Sequence, residues 1–175
     1  MTADLRLDVG RIAMYSRYAW AVLRHKWFVF VECCKLGIPW LGVVHDLSKF
    51  LPGEFVPYAR YFYGPWAKDE RKPRMVEYNF DMAWLHHQHR NRHHWQRWMM
   101  TLDSARKGAK HFPMPMPERF AREMLADWRG AGRAYGNSDT LGWYSKNRMQ
   151  ISLYPGTREW IEEQLGYTPD TEIEF

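Results

Sequence analysis

The sequence predicts an all-α fold: a compact single-domain helical bundle with one small β-hairpin as an added element. Three observations carry this. Apolar residues recur at helical spacing through most of the chain. Glycine and proline punctuate those stretches where helices should end. At 175 residues, 46% hydrophobic and 17% aromatic, the chain can build one sizeable core and lacks the composition of a disordered one. The domain is expected to run over 1–175, with an acidic tail, 166–175, loosely held.

The elements follow in order. Ile12, Tyr15, Ala19, Val22, Lys26, Val29 and Cys33 trace a drifting stripe on a long helix from Val9 to Leu36, stopped by Gly37, Ile38 and Pro39. Leu41, Val44 and Leu47 then mark a short buried helix with His45 and Asp46 near its C-terminal end. Pro52 opens a third helix, which Pro57 should kink or shorten and Gly64-Pro65 ends. Lys68 to Arg74 reads as an exposed loop. Met75 to His89 is a fourth helix, broken at Arg90-Asn91-Arg92. Trp98–Leu102 and His111–Met116 can pair as a hairpin around a polar, basic turn. Pro117 suits the start of a fifth helix running to Tyr135 and ended by Gly136-Asn137. Two short helices, Leu141–Arg148 and Thr157–Leu165, complete the chain.

Composition bounds the function. A net charge of +5 and a pI near 9.2 favour anionic partners: nucleotides, nucleic acid or small phosphorylated compounds. The basic residues are spread rather than run together, which equally describes a solvated surface. No apolar run reaches the roughly 18–20 residues of a membrane span, and Met1 to Arg11 has no secretory signal pattern. Cys33 and Cys34 are adjacent and cannot staple the fold, which fits a reducing, cytoplasmic setting, and neither has zinc-finger spacing. The aromatics outnumber what a core hides, so some should line a pocket or a subunit contact, and a homo-oligomer is expected.

Chemistry is concentrated around Trp40–Phe50, where an apolar run ends in His45-Asp46 and then Ser48 and Lys49. Polar groups placed against a core need partners. A divalent cation is one such partner and a neighbouring polar side chain another. His25 on the first helix and Asp127 on the fifth are the further candidate ligands. Two imidazoles and two carboxylates can fill four positions of an octahedron, leaving two for water and a substrate oxygen. Mixed N/O ligation suits Mn, Fe, Co, Zn or Mg. Glu123 and Asp127 lie one turn apart and share a helix face.

A histidine, a His-Asp pair and a late aspartate on helices resemble the HD-domain phosphohydrolase superfamily, over His25 to about Arg133. More closely, the chain resembles a phage and bacterial family of no assigned activity. That likeness rests on His45–Phe50, Phe55–Gly64, Trp84–His89 with His93-His94-Trp95, and Met116–Glu118 through Asp127-Trp128. The superfamily resemblance implies a metal site at His25, His45, Asp46 and Asp127, and hydrolysis of a phosphate ester or anhydride by metal-bound hydroxide. One departure matters. The superfamily's nucleotidases often place a glutamate three residues after the HD aspartate, where this chain has Lys49. Glu54 or Glu123 would then have to handle the proton.

His86 to Trp95 holds five of the eight histidines. His86, His87 and His89 are candidates for a second metal bridged by Asp46, or for holding phosphate oxygens. Lys49, Arg129 and Arg133 are candidate phosphate clamps, against surface ion pairs. Trp20, Trp84 and Trp128 are candidates for stacking on a nucleobase, as are Tyr58, Tyr61 and Trp95, against ordinary core packing.

The first reading is a metal-dependent phosphohydrolase acting on a nucleotide or other small phosphorylated compound, with one divalent ion or two. The second is a di-iron oxygenase of HD type, which requires two extra histidine ligands. The third is a non-enzymatic module binding nucleic acid or a protein.

Overall fold

The computed structural model describes residues 3–101 and 111–168. Among them are seven α-helices: α1 (Ala3–Lys35), α2 (Pro39–Val44), α3 (Pro52–Tyr63), α4 (Arg74–Arg90), α5 (Glu118–Tyr135), α6 (Thr140–Asn147) and α7 (Pro155–Leu165). A two-stranded antiparallel hairpin, β1 (Met99–Thr101) and β2 (His111–Pro113), pairs Met100 with Phe112. The fold is therefore all-α with one small hairpin, as its sequence predicts. The turn expected between the strands and most of the expected loose tail lie outside the described residues. The first part of that tail is held: Gly166 adopts a left-handed φ of 65° that ends α7, and Tyr167 packs on Tyr144.

α1 is the spine. It packs most extensively on α5, and also on α2 and α3. Its buried stripe is Met14, Tyr18, Val22, His25, Val29 and Cys33, at successive spacings of three and four. This corrects the expected stripe, because apolar residues occupy both faces of α1. Ile12, Leu23 and Trp27 point outward, and His25 rather than Lys26 takes the core position. Two glycines set the approach of neighbours. A Cβ on Gly130 of α5 would sit 2.7 Å from Val29 N, and one on Gly42 of α2 would sit 2.8 Å from Cys33 Cβ. Hydrogen on those two Cα atoms lets α5 and α2 lie against α1.

Two further elements differ from expectation, α2 and α1, whereas α3 ends at Gly64 as expected. α2 stops at Val44, so His45 caps it and Asp46 follows it, and Leu47 is exposed on a short 3-10 turn, Leu47–Phe50. Pro57 does not break α3. It forfeits the one bond its N–H would make to Gly53, and the helix continues to Gly64. α1 begins six residues before Val9.

Apolar clusters lie on two sides of a polar centre. Tyr18, Val22, Tyr58 and Ala83 join α1, α3 and α4. Phe120, Met124, Leu125, Tyr144 and Ile161 join α5, α6 and α7. The second cluster is edged by Glu162, whose Oε1 accepts hydrogen bonds from Arg148 Nε at 2.7 Å and Tyr144 OH at 2.8 Å. Burial would raise the Glu162 pKa, but these donors hold it below the usual carboxylate range. The stabilisation is thus present above the unfolded value, about 4.3, and is lost as pH falls through the depressed folded value. Glu162→Gln should cost about 1–2 kcal/mol at neutral pH. Denaturation at about pH 3 should show the difference from wild type shrinking towards zero.

Candidate metal centre

The centre forms where α1, the end of α2, α4, the segment after α4, and α5 meet. Lys26, one residue past His25, donates to the carbonyls of Val43, at 3.3 Å, and His45, closing the C-terminus of α2. The chain then turns sharply. His45 is extended, with φ −50° and ψ 128°, and Asp46 is left-handed, with φ 53°. Asp46 is the one non-glycine residue with positive φ among the described residues. Aspartate tolerates that conformation better than most residues. The turn allows two adjacent side chains, which normally diverge, to serve one centre.

Asp46 divides its two oxygens. Oδ2 lies 3.7 Å from His25 Nε2 and 3.4 Å from His45 Nε2. Oδ1 lies 3.3 Å from His87 Nε2 and 3.4 Å from His93 Nε2. Asp127 Oδ1 completes the first group, 3.1 Å from His25 Nε2 and 3.4 Å from His45 Nε2. His94 joins Asp46, His87 and His93 in the second. Neighbouring ligand atoms of an octahedral ion with bonds near 2.1 Å stand about 3 Å apart, so these separations suit cation binding.

A shell of carboxylates aims the imidazoles. Glu123 Oε1 lies 3.0 Å from His45 Nδ1 and 3.2 Å from His93 Nδ1. Glu54 Oε2 lies 2.8 Å from His87 Nδ1 and accepts from Ser48 Oγ at 2.9 Å. A carboxylate only accepts, so each of these Nδ1 atoms carries a proton and each Nε2 faces inward, where it can ligate a cation in place of a second proton. His45, His93 and Glu123 also converge closely enough to suggest a third cation position. Their facing Nδ1–H donors make that contact an orienting one instead.

The centre needs positive charge. Among the described residues, eleven buried side-chain polar atoms lack a hydrogen-bond partner. Eight of them are here: both ring nitrogens of His25, both oxygens of Asp46, and Nε2 of His45, His87, His93 and His94. His25 Nε2 and Asp46 Oδ2 keep ion-pair contacts, with Asp127 and Lys49, whereas each of the others, left bare, costs roughly 1–3 kcal/mol. Lys49 Nζ, 2.6 Å from Asp46 Oδ2, answers part of the charge as an ion pair. Burial lowers the His45 pKa, but Asp46, Asp127 and Glu123 overcome it and push the value up to about 10. Asp46 and Asp127 are held well below the usual carboxylate range: burial opposes this, and the imidazoles around both, with Lys49 beside Asp46, prevail. These residues can hold a metal ion.

A cavity of about 530 Å³ opens onto the centre. Its walls are mainly aromatic, including Tyr18, Tyr58, Phe62, Phe80 and Trp84. His25, Lys49, His94 and Asp127 are its charged or titratable groups apart from phenols. A second cavity, of about 340 Å³, shares Trp84, His94 and Asp127 and extends towards Trp128 and Trp143.

The structure brings together His25, His45, Asp46, Asp127, Lys49, Glu54, Glu123 and His87 from the sequence-derived candidates. It corrects several roles. Glu54 and Glu123 face imidazole Nδ1 atoms and do not line the cavity, a placement that suits orienting the imidazoles rather than handling a substrate proton. His86 and His89 are exposed on the outer face of α4, a consequence of the roughly 100° between successive helical residues. Arg129 donates to Gln164 O, and Arg133 pairs with Glu32 at 2.6 Å, both on a separate cavity. Trp20 is 69% exposed and lies outside the main cavity, whereas Trp84 lines it and Trp128 lines the second one.

His93 and His94, which are not among the sequence-derived candidates, also face the centre. α4 ends at Arg90, and Asn91 Nδ2 donates to His87 O at 3.0 Å and Ser48 Oγ at 3.1 Å. That turn folds His93 back beside His87. The signal in the sequence was the break at Arg90–Arg92 between histidines six apart, which no single helix face can join.

Glu123 gives a direct test of the orienting shell. Glu123→Gln should retain the fold and weaken metal affinity by about 10–100-fold, measured by competition with a chromogenic chelator. Unchanged affinity would remove Glu123 from that role.

No curated protein and no solved structure matches the chain. No helix among the described residues is long and apolar enough to cross a membrane. A family model described as a family of unknown function, DUF5662, matches residues 14–167, a span that holds every residue of the centre, and the chain belongs to that family.

Proposed function

We propose that this protein is a metal-dependent hydrolase of small phosphorylated compounds, with two divalent cations bridged by Asp46. The observation that carries the reading is the division of Asp46: each oxygen serves its own pair of bare imidazole Nε2 atoms. His25, His45 and Asp127 would hold one cation, and His87, His93 and His94 the other. Such a pair supplies a nucleophile at neutral pH and Lewis acidity towards a phosphoryl oxygen. The likeness of the His25, His45-Asp46 and Asp127 order to HD-domain phosphohydrolases supports the same reading.

The chain's own residues do the rest. Glu123 and Glu54 keep protons on Nδ1, so the Nε2 lone pairs stay available. Lys49, on the cavity wall beside Asp46, adds positive charge where a phosphoryl group would bind. The aromatic walls exclude bulk water and so strengthen those interactions. In the net reaction, water oxygen bonds to phosphorus, the ester P–O bond breaks, and the departing alcohol oxygen takes a proton.

A second reading, a di-iron oxygenase, is favoured by one specific observation: His87 and His93 supply the two extra imidazoles it requires. The two separate cleanly. Protein loaded with Mn, Fe, Co, Zn or Mg should release phosphate from phosphorylated compounds, nucleotides included, with or without dioxygen. Dioxygen consumption by the iron-loaded protein with no phosphate release would establish the second reading instead. A salt-dependent affinity for DNA or RNA with no bound metal would displace both.

A further inference from the structure

Four tyrosines line the aromatic cavity, and two of them carry buried hydroxyls that the centre does not use. Tyr18 and Tyr58 are 4% and 5% exposed, and both hydroxyls are buried with no hydrogen-bond partner. Both line the cavity, with ring centroids 6.1 Å apart, and Tyr58 packs edge-on against His87 at 6.2 Å. A buried phenol normally finds an acceptor. An acid oxygen of a molecule entering the cavity would supply that acceptor.

The same cavity is poor in cationic side chains. Lys49 is already paired with Asp46, and among the described residues no arginine lines it. A site built for several phosphates would gather guanidinium groups, which grip phosphate oxygens in pairs. This one offers neutral hydroxyls, one shared ammonium and flat apolar walls, among them Phe62, Phe80 and Trp84.

We infer that Tyr18 and Tyr58 are substrate-binding residues whose hydroxyls donate to the acid oxygens of an aromatic phosphate monoester, the organic group lying against the aromatic walls. The inference rests on the phosphate-ester reading above and narrows it to one acid group and an apolar body. Burial holds both phenols above their ordinary pKa, so they remain donors at neutral pH.

The test uses phosphonates, whose P–C bond is not hydrolysed, so that binding is read apart from turnover. Full-length, metal-loaded protein is titrated calorimetrically with phenylphosphonate and with methylphosphonate. Phenylphosphonate should bind at least about tenfold tighter, from burial of the ring in an apolar site. Tyr18→Phe and Tyr58→Phe should each weaken phenylphosphonate about five- to tenfold, with bound metal unchanged by elemental analysis. Equal affinity for the two phosphonates in wild-type protein would overturn the inference, as would full affinity in the double Phe variant, and so would binding of neither. Tight, tyrosine-dependent binding of phenylphosphonate without phosphate release from any phosphorylated compound would leave the tyrosines standing as binding residues for an aromatic phosphoryl ligand and sink the hydrolase reading alone.

Discussion

Asp46→Ala should strip the purified protein of both cations, taking bound metal from two equivalents to none. Among the described residues, Asp46 is the one that comes within 3.7 Å of both groups of imidazoles through separate oxygens; Asp127 reaches the second group only at 4.0 Å, from His93. His25→Ala and His93→Ala should each lose one equivalent, because each belongs to one group. Asp46→Asn is the informative companion: asparagine tolerates the left-handed φ of 53° as aspartate does, yet removes the bridging charge. Elemental analysis after gel filtration reads all four variants. Full occupancy in Asp46→Ala would end the bridged-centre proposal, and phosphate release should fall in step with metal content.

Gly130→Ala should push α5 away from α1. Its Cβ would fall 2.6 Å from Val29 Cγ2, 2.7 Å from Val29 N and 2.9 Å from Val29 Cα. Rotating the Val29 side chain relieves only the first of these contacts, so α5 would have to move off α1. Overpacking of this kind costs about 1–3 kcal/mol, against the roughly 1 kcal/mol that alanine returns as a better helix former. The displacement also reaches the centre. Asp127 lies three residues before Gly130 and His25 four before Val29, and their facing atoms are 3.1 Å apart. Lower midpoints in urea for the chelator-treated protein, together with weaker metal binding, are therefore expected. Gly10→Ala is the control, since nothing lies within 4 Å of a Cβ there. If the two alanine variants unfold at the same midpoint, the close approach of α5 to α1 is not what the structure depicts.

Much of the helical framework is legible in the sequence because helix ends are encoded locally. Gly37, Gly64, Gly136 and Gly166 mark the C-termini of four helices, and left-handed φ values at Gly37, Gly136 and Gly166 need only the glycine itself. The face of α1 was not legible. Apolar residues surround that helix, so periodicity could not show whether His25 or Lys26 turned inward, and packing against α5 decided it. Pro57 is accommodated inside α3 because a single lost hydrogen bond is small beside the packing of α3 on α1 and α4.

The order of His25, His45, Asp46 and Asp127 along the chain was enough to name one set of candidate ligands, and their placement within one centre follows from helices that the sequence itself delimits. Which histidines of the 86–94 cluster turn inward, and whether Glu54 and Glu123 meet substrate or imidazole, were decided only in three dimensions. The reason is physical. A residue's type fixes what it can coordinate, but the direction of its side chain depends on turns such as Asp46 and Asn91 and on the close contact at Gly130, where segments far apart in sequence meet.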